Sequence, residues 1–301
     1  MKTLIVGGTG FAGGYAALFL KNQGWDVTLM GRKAPGPGTE LGQLPFRQGD
    51  YLDPNFDVGS LEGYDGMIFA AGVDITKFPT DGSETFDSFY HRCNTVGMPA
   101  FFEKAKTAGI KRTVNLGSFY AHVAPQSLSD PYVASRHASC QNIRALSGPD
   151  FNVCGINAPF ILGRVPGLSV AHLSGMKAYV QGLIPEAPLF APKGGTNHVT
   201  LETVAEALQG GLERGESGKA YLIGDANYSW KEYLERWAAA AGAPRAFEVR
   251  DDIEHPLLPS IIMYAGAGAT VSYVAPEDER ALLGYGIDRM ADEIEACAKH
   301  Y

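Results

Sequence analysis

The sequence predicts an α/β fold, a doubly wound parallel sheet with a smaller, discontinuous lobe beside it. Three observations predict it. Short β-branched apolar runs recur along the chain, stretches of helical periodicity separate them, and the first run breaks into a glycine-rich turn that opens a helix. Strands alternating with helices fold as a parallel sheet whose connections cover both of its faces.

The strands are expected at TLIVG (3–7), DVTLM (26–30), GMIFAA (66–71), RTVNLG (112–117), NVCGIN (152–157) and AYLIG (220–224). Each is a continuous apolar run, as burial on both faces requires. Helical periodicity spans 11–22, 85–108, 132–146 and 201–214. The segment APGPGTELGQLP at 34–45 marks a loop after the second strand. From 159 to 195 prolines and glycines interrupt short apolar pieces, and from 225 to 301 helices follow one another without obvious strands. Residues 1–158 and 196–224 are therefore expected to form a nucleotide-binding domain of Rossmann type, and 159–195 with 225–301 a substrate-binding lobe. The run IIMYAGAGATVSYVA at 261–275 is too short and glycine-rich for a membrane span and is expected as a buried helix or pocket wall.

Composition narrows the function classes. With 301 residues, 45% of them hydrophobic, the chain can bury a substantial core, and a net charge of −8 argues against a nucleic-acid surface. The amino terminus runs directly into an apolar strand, without the pattern of a signal peptide, so a cytoplasmic location and no membrane partner are expected. Cys93, Cys140, Cys154 and Cys297 form no CxxC pair and are expected as reduced, buried thiols. The histidines His91, His137, His172, His198, His255 and His300 show no mutual ligand spacing, and no metal site is expected.

The first chemical signal is LIVGGTGFAGGYAALFL. Gly8, Gly10 and Gly13 satisfy GxGxxG, while Gly7, Gly10 and Gly13 satisfy GxxGxxG. In either register, glycines permit a tight turn and close approach, and the helix that begins around Phe11 and Ala12 offers free N–H groups to a pyrophosphate. The second strand ends VTLMGRK, placing Gly31 where a carboxylate would bind an adenosine ribose hydroxyl, followed by Arg32 and Lys33. A missing acid beside a guanidinium fits a ribose phosphate, hence NADP(H).

These residues, followed in order by QGDYLD (48–53), AAG (70–72), NTVG (94–97), LGS (116–118), PYVASR (131–136) and NAPFILG (157–163), resemble an extended short-chain dehydrogenase/reductase of the epimerase/dehydratase type. The resemblance implies that Asp50 and Tyr51 border the adenine, that Ala70, Ala71 and Gly72 line the cofactor, and that Pro159, Phe160 and Ile161 pass near the nicotinamide. It implies a catalytic set of Asn94, Ser118 and Tyr132, with Ser118 holding the substrate oxygen and Tyr132 as general acid or base. Where the family has YxxxK, this chain has Arg136, which can supply charge and hydrogen bonds but cannot relay a proton. Tyr120 and His122 are candidate substrate contacts. A homodimer through helices 85–108 and 132–147 is a further implication.

The leading functional expectation is an NADPH-dependent reductase of a carbonyl or related group on a small to medium, apolar organic substrate. The alternatives are a nucleotide-sugar epimerase or dehydratase that retains its cofactor, and a non-oxidoreductive NADPH-binding protein on the same scaffold. The epimerase reading needs cations for a diphosphate, for which Arg164, Arg236, Arg245, Arg250, Arg280 and Arg289 are available.

Overall fold

A computed structural model describes residues 1–74 and 77–301. In chain order its elements begin β1 (Lys2–Val6), α1 (Phe11–Asn22), β2 (Asp26–Gly31), β3 (Phe46–Gln48) and β4 (Gly66–Phe69). Next come α2 (Phe86–Tyr90), a π-helical segment (His91–Gly97), α3 (Met98–Thr107), β5 (Arg112–Ser118), α4 (Tyr120–Val123) and α5 (Pro131–Ala145). The chain continues through β6 (Asn152–Ala158), β7 (Phe160–Leu162), α6 (Ala171–Gln181), β8 (Ala191–Pro192), β9 (Gly195–Thr200) and α7 (Leu201–Arg214). It closes with β10 (Ala220–Leu222), β11 (Ala226–Ser229), α8 (Trp230–Ala240), β12 (Val249–Arg250), α9 (Glu277–Leu283) and α10 (Met290–His300).

The main sheet has seven parallel strands in the order β10-β6-β5-β4-β1-β2-β3. Strand order reverses between β1 and β4, and open α/β sheets form their ligand crevice at the carboxyl ends of the strands at such a point. On one face, α1 and α7 pack on the sheet through Ala16, Ala17, Leu20, Val204, Leu208 and Leu212. On the other, Met98, Phe101, Phe102 and Ile143 of α3 and α5 cover Met67 and Phe69. The local signals for these helices are ordinary ones. Asp130 caps α5 by accepting from the Val133 amide at 3.0 Å, Pro131 occupies the first helical position, and Thr200 caps α7 through the Thr203 amide.

The lobe differs from expectation in its strands. Residues 195–200, assigned from sequence mainly to the nucleotide-binding domain, form the middle strand of a separate sheet, β11-β9-β7. After them α7 and β10 return to the main sheet. Strands β11 and β12 also lie in the region expected to be helical only, and β12 pairs with β8. They escape a hydrophobic reading because they are short and half-exposed, as ANYS illustrates. The lobe core gathers Leu173, Tyr179, Trp230, Tyr233, Trp237 and Ile294 from α6, α8 and α10.

Residues 261–275 are not a helix. One helical turn, Ser260–Ile262, gives way to an irregular strap in which Gly266 and Gly268 take φ of +102° and +75°, conformations that end regular structure. The strap is fastened at its far end. Gly195 N donates to Ala269 O and Val271 N to Gly195 O, each at 3.0 Å, and the Tyr273 hydroxyl donates to Leu222 O at 3.2 Å. All four cysteines are buried and free. Among the described residues no helix is long and apolar enough to cross a membrane.

Candidate active site

The glycine loop leaves β1 at the switch point, and its glycines differ in what confines them. Gly7 has φ +81° and packs on the chain after β4, so that a Cβ there would lie 2.7 Å from Ala71 N. A Cβ on Gly13 would collide with the Gly7 carbonyl, which fixes the close approach of α1 to the turn. Gly10, at the amino end of α1, is different: a Cβ there would meet only Gly7 O, at 3.3 Å. Gly7 and Gly13 are thus small for the fold, whereas Gly10 leaves the helix amino terminus open from outside, at Phe11 and Ala12. Gly8 is confined as well, since a Cβ there would lie 2.8 Å from Ile5 O, so the turn accommodates both glycine registers.

At the end of β2, a Cβ on Gly31 would lie 2.9 Å from the Thr9 hydroxyl, so Thr9 fills the seat in which a side chain would stand. Arg32 and Lys33 follow as exposed residues, with the charge of Arg32 felt at Tyr51. Asp50 accepts from the Leu52 amide at 3.0 Å and so also serves as a turn cap. The Tyr51 ring packs edge-on against Phe69 with its hydroxyl buried and unpaired, and burial pushes its phenol far above the ordinary range.

The opening turns of α5 carry the candidate chemistry. Tyr132 is half-buried at the carboxyl edge of the sheet, and Arg136, one turn on, is buried beneath it. The Arg136 guanidinium donates to the Leu116 carbonyl of β5 and approaches Met98 Sδ at 3.7 Å, while its Nε has no partner. It occupies the space that a side chain on Gly72 would need. Asn94, fully buried on the π-helical segment, donates to Ser135 Oγ at 3.0 Å and to Val73 O at 3.3 Å, and accepts from Val73 N at 3.3 Å. Ser135 in turn donates to the Tyr132 carbonyl at 2.8 Å. Asn94 therefore ties the segment after Gly72 to the first turn of α5. Ser118 ends β5 opposite Ala158 of β6, at the same sheet edge.

Burial raises the Tyr132 phenol above its ordinary value; Arg136 pulls it down, and Asp74 and Asp130 push it further up. Sequence spacing alone suggests that the cation brings it below 10. Arg136 acts in that direction, but lost hydration outweighs it, so Tyr132 is a neutral phenol at physiological pH.

Tyr132 opens on a small cleft walled by Phe86, Tyr90, Pro131, Ile261 and Tyr264, with Asp130 as its charged lining residue. Tyr264 comes from the strap and stacks on Tyr132 with ring centroids 5.1 Å apart. Nothing in the sequence around Tyr264 marks it as a site residue, and only the path of the strap brings it there. Tyr120 reaches the same cluster, edge-on to Tyr264 at 5.3 Å, with its hydroxyl 3.1 Å from Thr196 Oγ1. His122, expected as a second substrate contact, is instead placed against His137, ring centroids 5.0 Å apart, and does not line the cleft. Burial, His137 and Arg144 lower its pKa, which leaves it neutral.

Pro159, Phe160 and Ile161 leave the end of β6, and Phe160 turns its ring into the lobe against His198 and Trp230. Most of the arginines available for a diphosphate already have partners. Arg164 pairs with Glu293 at 3.0 Å, Arg236 with Glu232 at 2.8 Å, Arg250 with Asp252 at 2.7 Å and Arg289 with Glu206 at 2.9 Å. Arg245 donates to Gln181 O, and Arg280 lies within electrostatic reach of Tyr285. Among the described residues no cluster of three or more His, Cys, Asp or Glu side chains is placed to hold a metal ion.

A model of the NAD dependent epimerase/dehydratase family matches residues 3–166. Among solved structures, UDP-glucose-4-epimerase from Stenotrophomonas maltophila, with bound NAD and formylated UDP-arabinopyranose, has a TM-score of 0.76 and 17% identity, covering 100% of this chain and 98% of that one. UDP-N-acetylglucosamine 4-epimerase from Bacillus cereus has a TM-score of 0.74 and 15% identity over 100% and 99% of the two chains. UDP-glucose 4-epimerase from Bifidobacterium longum, in complex with NAD+ and UDP, has 0.74 and 16% over 99% and 97%. At these identities the likeness establishes the fold. No curated protein matches in sequence.

Proposed function

The chain belongs to the NAD dependent epimerase/dehydratase family, and from that premise we propose that it interconverts a carbinol and a carbonyl group with a nicotinamide dinucleotide, Tyr132 handling the proton. The observation that carries this reading is the placement of Tyr132: its phenol faces the cleft while Arg136 beneath it lies against Gly72, beside the crevice at the sheet's switch point.

The residues present fit a dinucleotide, because the cradle at Gly10 is one that a Cβ would partly fill and that the protein itself leaves open. Gly7, Gly10, Phe11, Ala12 and Gly13 would hold the pyrophosphate. Asp50 and Tyr51 would border the adenine end, Ala70, Ala71 and Gly72 the crevice, and Pro159, Phe160 and Ile161 with Arg136 the nicotinamide end. Bound there, the cofactor supplies the carbon that gives or takes hydride. A neutral Tyr132 is set to donate its proton to a substrate oxygen, and Ser118 would fix that oxygen. Asn94, through Ser135, holds the Tyr132 backbone in place.

The UDP-sugar complexes among the structural matches support a substrate of nucleotide-sugar type, with a retained cofactor. A second reading, an NADPH-dependent reductase of a free carbonyl compound, is favoured by the turn after β2, where Thr9 fills the seat at Gly31 and two exposed cations follow. A homodimer through the helices of residues 85–108 and 132–147 is also proposed, and the 52% exposure of Val96 in the first of them supports it.

The test is absorbance of the purified protein for retained cofactor, then fluorescence titration with NADPH and NADH, then turnover in wild type and Tyr132→Phe. Binding of either cofactor, with turnover abolished in the variant, is expected. Binding of neither would overturn the proposal.

A further inference from the structure

The ring of Tyr264 lies almost parallel to that of Tyr132, inclined by 29°, while Tyr120 meets it edge-on. The strap that carries it is fastened at Ala269 and Val271 and turns at Gly266, whose amide donates to Met263 O at 2.8 Å and where, among the described residues, nothing stands within 4 Å of the site a Cβ would occupy. With Tyr264 in place, the cavity left beside Tyr132 is about 70 Å³. Ligand pockets usually offer roughly 300 Å³ or more. The ring takes up much of the space on this face of Tyr132, and it reports what the walls accommodate.

Those walls suit an uncharged ring. Tyr132 meets the ring face-on and Tyr120 edge-on, while Tyr90 meets Tyr132 edge-on, arrangements that aromatic groups prefer. Among the described residues no lysine or arginine lines the cleft, and Asp130 does. Phosphate recognition draws on cations or on a helix amino terminus. The helix start that opens here, that of α5, is already taken: the Asp130 carboxylate accepts from the Val133 amide, and Pro131 has no N–H to offer.

We propose that Tyr264 is a specificity-determining plug, holding on the face of Tyr132 the place of an uncharged aromatic substrate, so that the site selects such a substrate over a nucleoside diphosphate. The inference rests on the assignment of Tyr132 to the reaction, and of the two substrate readings above it takes the free-carbonyl one against the nucleotide-sugar one. It makes Tyr264 a competitor of the substrate, and removing a competitor raises apparent affinity by restoring the binding-competent fraction.

The experiment is calorimetric titration of protein holding its preferred oxidised cofactor, in which benzaldehyde binds without turnover, in parallel with UDP-glucose. Saturable binding of benzaldehyde is expected, tightened roughly three- to tenfold by Tyr264→Ala and unchanged by Tyr264→Phe, which keeps the ring. In turnover, the same Tyr264→Ala change should lower KM and leave kcat in place. UDP-glucose should show no saturable binding. Tighter binding of UDP-glucose than of benzaldehyde, no benzaldehyde binding to either protein, or equal or weaker binding by Tyr264→Ala would each overturn the plug. Cofactor binding and the Tyr132→Phe result are read separately, so the plug can fail while the assignment of Tyr132 stands.

Discussion

Gly72 and Arg136, which lie 64 residues apart in the sequence, share one volume: the guanidinium of Arg136 stands where a Cβ on Gly72 would be. The arginine is larger than the lysine of the resembled motif, and the missing side chain at Gly72 helps make room for it. Gly72→Ala should displace the guanidinium and weaken cofactor binding at least tenfold, with about 1 to 3 kcal/mol of stability lost to overpacking. Fluorescence titration and thermal melting together check this. Arg136→Met should likewise weaken binding and slow turnover while Arg136→Lys retains both, and wild-type activity in Arg136→Met would refute the role of Arg136.

The glycines of the first loop should separate by experiment. Gly13→Ala drives a methyl group into Gly7 O and should destabilise the whole chain. Gly10→Ala meets the protein only at 3.3 Å, so it should melt near wild type yet lose cofactor affinity. Equal loss of cofactor affinity and stability in both variants would remove the distinction.

Arg32→Gly should lower the affinity ratio of NADPH to NADH. Loss of one charge-assisted contact to a ribose phosphate is worth about 1.5 to 3 kcal/mol, or roughly ten- to hundredfold. An unchanged ratio would show that the turn after β2 does not read the phosphate.

Because the Tyr132 phenol is held above 10 by burial, its deprotonated form stays scarce near neutrality. Oxidation of an alcohol, which needs that form as base, should therefore climb about tenfold per pH unit between about pH 7 and pH 9. A flat profile there would point to another base.

Two buried histidines predict acid lability. Burial lowers His198 to about 3 and His255 to about 4, from an ordinary 6.5. The His255 Nδ1 accepts from the amides of Leu257 and Leu258, at 3.1 and 3.0 Å, an arrangement only the neutral ring can make. A depressed folded-state pKa gives stability that is complete above 6.5 and is lost as pH falls toward 4 and then 3. Every tenfold weakening of proton affinity on folding is worth about 1.4 kcal/mol. Urea unfolding at descending pH should show this loss, and His255→Gln should lessen it.

Much of the main sheet was legible because parallel strands must be apolar throughout. Five of the six expected runs map on β1, β2, β4, β5 and β6 with ends shifted by a residue or two, and AYLIG contains β10. Helix 11–22 agrees residue for residue, since its glycines and its capping turn punctuate it. The lobe was illegible where burial is partial: β11 and β12 carry no run long enough to be recognised. Tyr132 and Arg136 could be paired from helical spacing, Asn94 and Gly72 were named only through the family resemblance, and the four are brought together at the sheet edge. Tyr264 could not, because it reaches the cleft through a strap fixed by tertiary hydrogen bonds rather than by local pattern.

The position of β10 has a consequence for biosynthesis. This edge strand of the main sheet is reached only after the chain has already laid down β7, β8 and β9 of the lobe. While β10 is still unmade, the outer side of β6 is an unpaired parallel edge of the kind that invites association with other chains. A nascent chain stalled before residue 220 should therefore seek chaperones or aggregate, and the interval between emergence of β6 and of β10 is the vulnerable period of its synthesis.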